Sequence, residues 1–438
     1  MTGPLKHNAV RNSLSTLAFL VAGYLALSWA EANFDGYQTQ LLNLVAINAI
    51  LAVSLNFIYG FSGMFSLGHA GFMAIGAYVS ALCILPPAQK ELLWLLEPIY
   101  GPLAALETPF VVSVLLGGLA AAATSLLIAL PVMRLGGDYL GIATLGFAEI
   151  IRVLFTNLAY LTNGAIGLRG IPSYAGIWWN YGWLAVTLFV VLSMLKSNFG
   201  NVLKSIRDDE IAAGAMGINT SGYRTMAFCL GGFFAGVGGA LMGSLVTTIE
   251  PKMFNFQLTF NILLIVVAGG LGSITGSVVG AAAITLLLEW LRIVEAPLTL
   301  NFALAADDPQ LCAAALAVCL ASGVFWLRKW RRGARRPAAA LAGRLIRGLT
   351  LALALTALAL ALTLALALAL AFLGLEMFPD FTLDVPGIPG MRMVIFSVAL
   401  MCIILFRREG LLGVREFSWD GFYDRLGRLA RRLGSGGR

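Results

Sequence analysis

Long apolar stretches separated by short polar or charged segments dominate the chain. Most of these stretches are close to the roughly 20 residues that a membrane-crossing helix needs. The pattern predicts an all-α, polytopic membrane helix bundle of about 10–11 transmembrane helices. The predicted spans are 14–30, 41–59, 64–85, 110–133, 139–160, 176–195, 225–249, 273–291, 311–327, 348–375 and 391–406.

The first span follows Lys6 and Arg11, an arrangement that signal peptides share, and Ala30-Glu31-Ala32 would suit a cleavage position. Its apolar core is rather long for a signal peptide. We therefore expect this span to be retained as a helix.

Segment 258–291 is too long for one crossing. As a single helix it would extend about 51 Å at about 1.5 Å per residue, whereas the hydrocarbon core is about 30 Å thick. Glycines interrupt it at Gly269, Gly270 and Gly272. We interpret 258–268 as a re-entrant half-helix. Leu258–Gly272, expected at the outer side, is the candidate gate.

Charged residues are concentrated in Lys196–Arg224, Arg328–Arg347 and Arg407–Arg438, which hold just over half of them. Basic loops of membrane proteins face the cytoplasm. With 258–291 entering and returning on one side, an even number of crossings separates the first two segments, as this rule requires. The expected location is the cell inner membrane, with both termini cytoplasmic.

The composition supports the membrane interpretation. Hydrophobic residues make up 59% and charged residues 12% of the chain, against about 45–50% and about 25% in soluble domains. These values exclude a soluble enzyme, a disordered protein and an ordinary DNA-binding protein. The net charge of +7 fits cytoplasmic loops, so we expect no nucleic-acid partner. The five cysteines contain no C-x-x-C pair, which favours buried thiols over a disulfide framework or a zinc site.

Several catalytic motifs are missing from the sequence. It contains no G-x-x-x-x-G-K-[ST], no H-E-x-x-H and no G-x-S-x-G, and its two histidines are His7 and His69. A P-loop nucleotide site, an intramembrane metalloprotease and a serine esterase each need one of these motifs. A transporter, a channel or a membrane scaffold remains, with no catalytic residues and no metal site expected.

A short acidic and alanine-rich segment lies within the first charged region. It reads Arg207-Asp208-Asp209-Glu210-Ile211-Ala212-Ala213-Gly214-Ala215-Met216-Gly217-Ile218-Asn219. Acids in the first turn complement the helix dipole, and glycine followed by asparagine suits a helix end. The pattern predicts a short helix with small residues on its surface, which would let another protein approach closely. A solvated connecting helix is equally compatible with these residues.

The same segment belongs to an ordered set of motifs. Ala212-Ala213-x-x-x-Gly217 resembles the cytoplasmic "EAA…G" loop of ABC importer permeases, with Glu210 displaced from its usual place by Ile211. The other matching segments are Asn56–Phe72, Gly137–Arg152, Thr162–Gly167, Gly269–Gly276 and Arg407–Gly413. Over 40–300 and 391–413 the chain resembles the permease subunit of the high-affinity branched-chain amino acid ABC importer, in the form of the longer of its two paired permeases. The permease of the urea importer is a close relative.

This resemblance implies a chain that pairs with a second permease, two cytoplasmic P-loop ATPases and a periplasmic solute-binding protein, surrounded by membrane lipid. The chain itself would hold no cofactor, because ATP is bound by the partner subunits. Residues 207–217 would couple it to the ATPase. The implied solute is leucine, isoleucine or valine. A urea or amide importer, an ion-coupled secondary transporter and an intramembrane enzyme are the alternatives.

Polar residues inside the predicted spans are candidates for the translocation path. Glu149 and Arg152 lie three residues apart on one helix face, where they can pair. They either line the path or clamp a neighbouring helix. Ser66 and His69 lie in a glycine-rich stretch that we expect to break the helix, with Asn56 close enough to bond to it. His69 either faces the solute or forms a hydrogen bond in a packed turn.

Glycines four residues apart, Gly232 and Gly236, predict close helix packing, either within the chain or against the second permease. The family pattern is interrupted at 301–390, where two extra spans and a basic loop are inserted. We therefore expect a permease core at 1–300, an inserted segment at 301–390, and a last helix with a basic tail at 391–438.

Overall fold

The computed structural model of the chain describes residues 4–94, 98, 101–133, 139–292, 298–301, 382–385 and 398. The chain divides into a helical unit, Met1–Leu291 with Met393–Arg438, and a second unit, Arg292–Arg392. Several predictions lie outside the described residues. They concern the spans 311–327 and 348–375, nearly all of 391–406, the basic segments Arg328–Arg347 and Arg407–Arg438, and residues Gly137 and Asp138.

Helices build the described part of the helical unit, which confirms the all-α prediction. Among the described residues, six segments are long and apolar enough to cross a membrane, and there are seven if one bent pair counts as a single span. The helices are α1 (Pro4–Asn33), α2 (Gly36–Asn56), α3 (His69–Ile84), α4 (Pro87–Leu93), α5 (Gly101–Ala104), α6 (Phe110–Val132), α7 (Tyr139–Asn157), α8 (Ala159–Thr162), α9 (Ile177–Lys196), α10 (Asn198–Asp208), α11 (Glu210–Ala215), α12 (Thr220–Val246), α13 (Phe256–Gly269) and α14 (Ile274–Trp290).

Two helix breaks distinguish the structure from the predicted spans. After α2 the chain forms one π-helical segment, Phe57–Phe61, and then an irregular stretch, so that α3 begins at His69 instead of residue 64. The second break is the bend of 118° between α3 and α4. Pro86 and Pro87 lie at this bend, and proline lacks the amide hydrogen that a continuous helix needs.

Three helices pack closely at the centre of the bundle, where each contributes one glycine. We call this contact the glycine junction. Helix α12 packs against α6, α3 and α2. Gly76 of α3, Gly117 of α6 and Gly236 of α12 meet so closely that a Cβ atom on Gly76 would lie 2.0 Å from the carbonyl oxygen of Gly236. A Cβ atom on Gly117 would lie 2.7 Å from the carbonyl oxygen of Gly76. The close packing suggested by the glycine spacing in α12 thus occurs within this chain.

A small sheet marks the end of the bundle opposite α10. Strand β1 (Leu168–Arg169) pairs antiparallel with β2 (Thr248–Ile249), just after the end of α12. Helix α1 is anchored near the start of α9, where Trp178 Nε1 donates to Glu31 Oε2 at 2.7 Å. The first predicted span is therefore a helix, and its C-terminal end contacts α9.

The second unit contains one described element, an antiparallel pair of strands. Strand β3 (Leu298–Asn301) pairs with β4 (Thr382–Val385), with Leu298 opposite Val385. This pair brings together the chain before and after most of the predicted insertion.

Candidate coupling site and membrane path

The 205–219 segment folds as the end of α10, a sharp break, and the short helix α11. The break is at Asp209, whose backbone is extended (φ −156°, ψ 108°). Its carboxylate caps α11 by accepting from the amides of Ile211 and Ala212 at 2.9 and 3.0 Å. Gly217 follows with φ +83°, a backbone conformation that glycine adopts without strain. The acidic start and the glycine stop are thus both used as capping devices.

The exposed surface of this segment is more apolar than its alanines suggest. Ala213 is buried against the bundle and Ala212 is exposed. On the same surface, Ile211 is 85% and Met216 is 83% exposed. Exposed apolar side chains of this size next to small residues are typical of a contact surface for another protein. The sequence analysis missed both residues. The only available signal was that Ile211 interrupts the usual Glu-Ala-Ala order.

An ion pair connects the 205–219 segment to α12. The carboxylate of Glu210 pairs with the guanidinium of Arg224 in α12, and the Arg224 side chain is largely buried. The pair links α11 to the helix that forms the glycine junction. Arg224 was not singled out in the sequence, because its partner is 14 residues away and no helical spacing connects them.

Arg207 connects the same segment to the interior. Its Nη1 donates to the carbonyl oxygen of Gly60 at 3.1 Å, and its Nε and Nη2 donate to Asp208 Oδ1 at 3.1 and 2.9 Å. Gly60 belongs to the π-helical segment that ends α2. One side chain therefore contacts both the exposed segment and the broken helix.

Asn56, at the end of α2, is bound to the turn between α13 and α14. Its Oδ1 accepts from the Gly272 amide at 2.9 Å, and its Nδ2 donates to the Ser273 carbonyl at 2.9 Å and to Ser277 Oγ at 2.7 Å. Asn56 is fully buried, so all three bonds are shielded from water. The Asn56 side chain is therefore engaged with this turn instead of the glycine-rich stretch that contains Ser66 and His69.

The turn itself contains the three predicted glycines. Gly269 ends α13 against Gly276 of α14, and Gly270 and Gly272 have φ of +125° and +76°. A Cβ atom on Gly272 would lie 3.4 Å from Arg207 Nη1. The turn is therefore at the α10 end of the bundle, whereas α13 begins after β2 at the opposite end. This turn was expected on the outer side of the membrane. It cannot lie there if the 205–219 segment is cytoplasmic, because both are at the same end of the bundle.

The first arm of this hairpin is also longer than the predicted half-helix. Segment Pro251–Gly269 has 19 residues and is one of the six candidate spans. Both arms run between the two ends of the bundle, so the hairpin returns the chain to the side from which it entered. The hairpin therefore contributes two crossings, and the remaining predicted crossing of the parity argument, 311–327, lies outside the described residues.

His69 is packed and hydrogen-bonded. It is fully buried, and its Nε2 lies 2.8 Å from Ser54 Oγ in α2. The Ser54 hydroxyl also lies 2.8 Å from the Leu51 carbonyl oxygen, so the imidazole and this carbonyl share one hydroxyl as their partner. Ser66 is also buried, and its Oγ accepts from the Gly68 amide at 3.4 Å in the irregular stretch before α3. The structure therefore places Ser66 inside the helix break and His69 at the first residue of α3.

Glu149 and Arg152 form an ion pair on the outer face of α7. Arg152 Nε donates to Glu149 Oε1 at 2.9 Å. The two side chains are 50% and 30% exposed, respectively. Apolar side chains of the same helix, such as Ile150 and Val153, are also exposed, and α7 is the least buried of the six spans. Within the described residues, the hydrogen bonds and the ion pair between these two side chains stay within α7.

The chain matches known proteins over most of its helical part. The family model described as the permease component of branched-chain amino acid transport systems matches residues 37–306. The chain belongs to this permease family. It is 30% identical to the branched-chain amino acid permease LivM of Escherichia coli K12 over 319 residues, which cover 65% of this chain and 70% of LivM.

Two further relatives show the breadth of the similarity. The permease is 24% identical to LivH of Escherichia coli K12 over 269 residues, covering 56% of this chain and 82% of LivH. It is 28% identical to the nucleoside ABC transporter permease NupC of Lactococcus lactis over 205 residues, covering 42% of this chain and 60% of NupC. No solved structure matches the chain. The family match ends at residue 306, close to the predicted start of the insertion in this permease.

Proposed function

We propose that this permease is the transmembrane subunit of an ATP-driven importer for branched-chain amino acids, powered by a separate ATPase. The observation that carries the proposal is the protruding 205–219 segment, with exposed Ile211 and Met216 on a capped and braced helix. The chain has no P-loop, so its energy must come from a partner if transport is ATP-driven. A rigid apolar projection suits a groove on that partner.

The proposed assembly contains a second permease, two cytoplasmic P-loop ATPases and a periplasmic solute-binding protein. In this assembly the 205–219 segment and both chain termini face the cytoplasm of a cell with an inner membrane. The bundle end that carries β1 and β2 faces the periplasm. Family membership and the basic segments support this orientation.

The proposed solute is leucine, isoleucine or valine. The support is that the LivM and LivH proteins, which this permease resembles, are named for branched-chain amino acid transport. This permease is also similar to a protein named as a nucleoside ABC transporter permease, so similarity of sequence does not by itself select the solute. The choice of solute therefore rests on the soluble receptor of the assembly.

The proposed translocation path runs along the exposed face of α7. An ionised residue at the centre of a lipid-facing helix costs about 3 kcal/mol on insertion scales. Glu149 and Arg152 neutralise each other only in part, and both remain accessible in the isolated chain. A water-filled path between this permease and the second permease would supply the polar surroundings that lipid cannot.

The proposal is tested with the double variant Ile211→Ser, Met216→Ser, co-expressed with the ATPase and second permease encoded beside it. The variant should insert normally but lose most of the co-purifying ATPase, because two apolar anchors are removed. Leu92→Ser, at an exposed position of α4, is the matched control. Undiminished co-purification of the double variant would contradict the docking role.

Uptake into membrane vesicles separates this proposal from an ion-coupled transporter. With ATP supplied and ion gradients collapsed, leucine uptake should continue. Uptake that depends on the gradient and ignores ATP would refute the proposal.

A further inference from the structure

Three separate parts of the permease meet at one point beneath the proposed ATPase-docking segment. They are the last turn of α10, the π-helical end of α2, and the turn that joins α13 to α14. Arg207 supplies the contact from α10, Gly60 from α2 and Gly272 from the turn. We call this meeting point the arginine junction.

Glycines leave no spare space at the arginine junction. A Cβ atom on Gly60 would lie 1.9 Å from Asn56 Oδ1 and 2.4 Å from the Gly272 amide nitrogen. A Cβ atom on Gly63 would lie 3.1 Å from Arg207 Cγ. Residues without side chains thus allow the arginine stem and the two backbones to touch. A shift of α10 in this packing must move the end of α2, the α13–α14 turn, or both.

The electrostatics favour arginine at this position. The carbonyl oxygen of Gly60 lies at the C-terminal, partially negative end of α2, where a cation is stabilised. The guanidinium has a fixed fork of donors. Nη1 of Arg207 donates to the Gly60 carbonyl oxygen, while Nε and Nη2 donate to the carboxylate of Asp208, the next residue in α10. The Arg207 side chain is 32% exposed, compared with 68% for Asp208, so Arg207 is the less exposed member of this pair.

The connection continues beyond Gly60 through Asn56. Asn56 lies one turn before Gly60, at the end of α2. Its side-chain amide forms hydrogen bonds with Gly272, Ser273 and Ser277. A displacement received at Gly60 therefore reaches the start of α14 through short, buried hydrogen bonds. These bonds join positions more than 200 residues apart in the chain.

We propose that Arg207 transmits the movement of the ATPase-bound segment to α2 and to the α13–α14 turn, and that it does not itself bind the ATPase. This inference rests on the proposed function, because it assumes that an ATPase docks on the 205–219 segment. In this role Arg207 is a positioning residue. While the Arg207 guanidinium is bonded to Gly60, the hairpin of α13 and α14 moves together with α10.

The test compares Arg207→Met, which keeps the stem and loses all donors, with Arg207→Lys, which keeps a donor and the charge. Each variant is purified as the full importer in lipid vesicles. ATPase co-purification, ATP hydrolysis and solute transported per ATP are then measured. Lys204→Gln, which removes a positive charge from the same helix, is the matched control.

Arg207→Met should keep the co-purifying ATPase and most of its hydrolysis, while transport per ATP falls about tenfold, the effect expected for losing one hydrogen bond to a charged group. Arg207→Lys should recover most of this ratio, and Lys204→Gln should not change it. A folding defect would lower the yield of complex but leave transport per ATP unchanged.

Two results would overturn the inference. Loss of the ATPase from Arg207→Met would make Arg207 a docking residue, and unchanged transport per ATP would remove it from the transmission. Failure of the proposed function has a different signature, since the wild-type permease would then co-purify with no ATPase or move solute without ATP.

Discussion

Replacing Gly76 by alanine tests how tightly the three-helix junction is packed. The new Cβ atom would lie 2.0 Å from the carbonyl oxygen of Gly236 and 2.4 Å from its Cα. Ordinary contacts at a Cβ atom begin near 3.4 Å, so α3 and α12 would have to separate by roughly 1.4 Å. Both obstructing atoms are backbone, and no side-chain rotation can relieve the overlap.

The expected cost follows from the contacts that this separation removes. A radial gap of about 0.5–1 Å already forfeits between a quarter and a half of the van der Waals well for each atom pair. Forcing one extra carbon into a close-packed interior typically costs about 1–3 kcal/mol. Because this clash is backbone against backbone, we expect Gly76→Ala to cost about 3 kcal/mol.

Thermal unfolding of the purified chain in detergent measures this effect. Gly182→Ala in α9 is the matched control, since a Cβ atom there would meet nothing within 4 Å and alanine favours a helix over glycine by up to about 1 kcal/mol. We expect Gly76→Ala to lower the midpoint temperature markedly and Gly182→Ala to leave it unchanged or raised. Equal midpoints for the two variants would refute the close packing at the junction.

Two further predictions concern polar residues. Asn56→Leu should lower the midpoint temperature of the same detergent-purified chain, because it leaves the buried Gly272 amide without its acceptor; an unchanged midpoint would show that the Asn56 bridge contributes nothing to stability. Glu149→Gln should reduce solute uptake in vesicles more than it reduces the amount of protein in the membrane, because Arg152 loses its charged partner on the proposed path; equal reductions would instead indicate a folding role.

Local features of the chain were predictable from the sequence. The apolar stretches predicted the membrane class and five of the six candidate spans among the described residues, because the length of a hydrophobic run is a property of consecutive residues. The same holds for the cap at Asp209 and the stop at Gly217, where each residue acts on its immediate neighbours. The ordered motifs also indicated the permease family, which the comparisons confirm.

Partners distant in the chain were not predictable. Asn56 was expected to bond to the glycine-rich stretch before α3, whereas in the fold it bonds to Gly272, and His69 lies 2.8 Å from the Ser54 hydroxyl. The α13–α14 turn was expected at the outer side, yet it lies beside Arg207.

Hydropathy determined that this chain crosses a membrane many times, since every apolar stretch must leave water whatever its neighbours are. Only the tertiary structure decided which helix ends meet, which face of α7 is left uncovered, and that one arginine touches both the exposed segment and the interior. The physical reason is that such contacts depend on how the helices pack against each other, and a chain of nearly uniform apolar runs does not encode that packing in any local pattern.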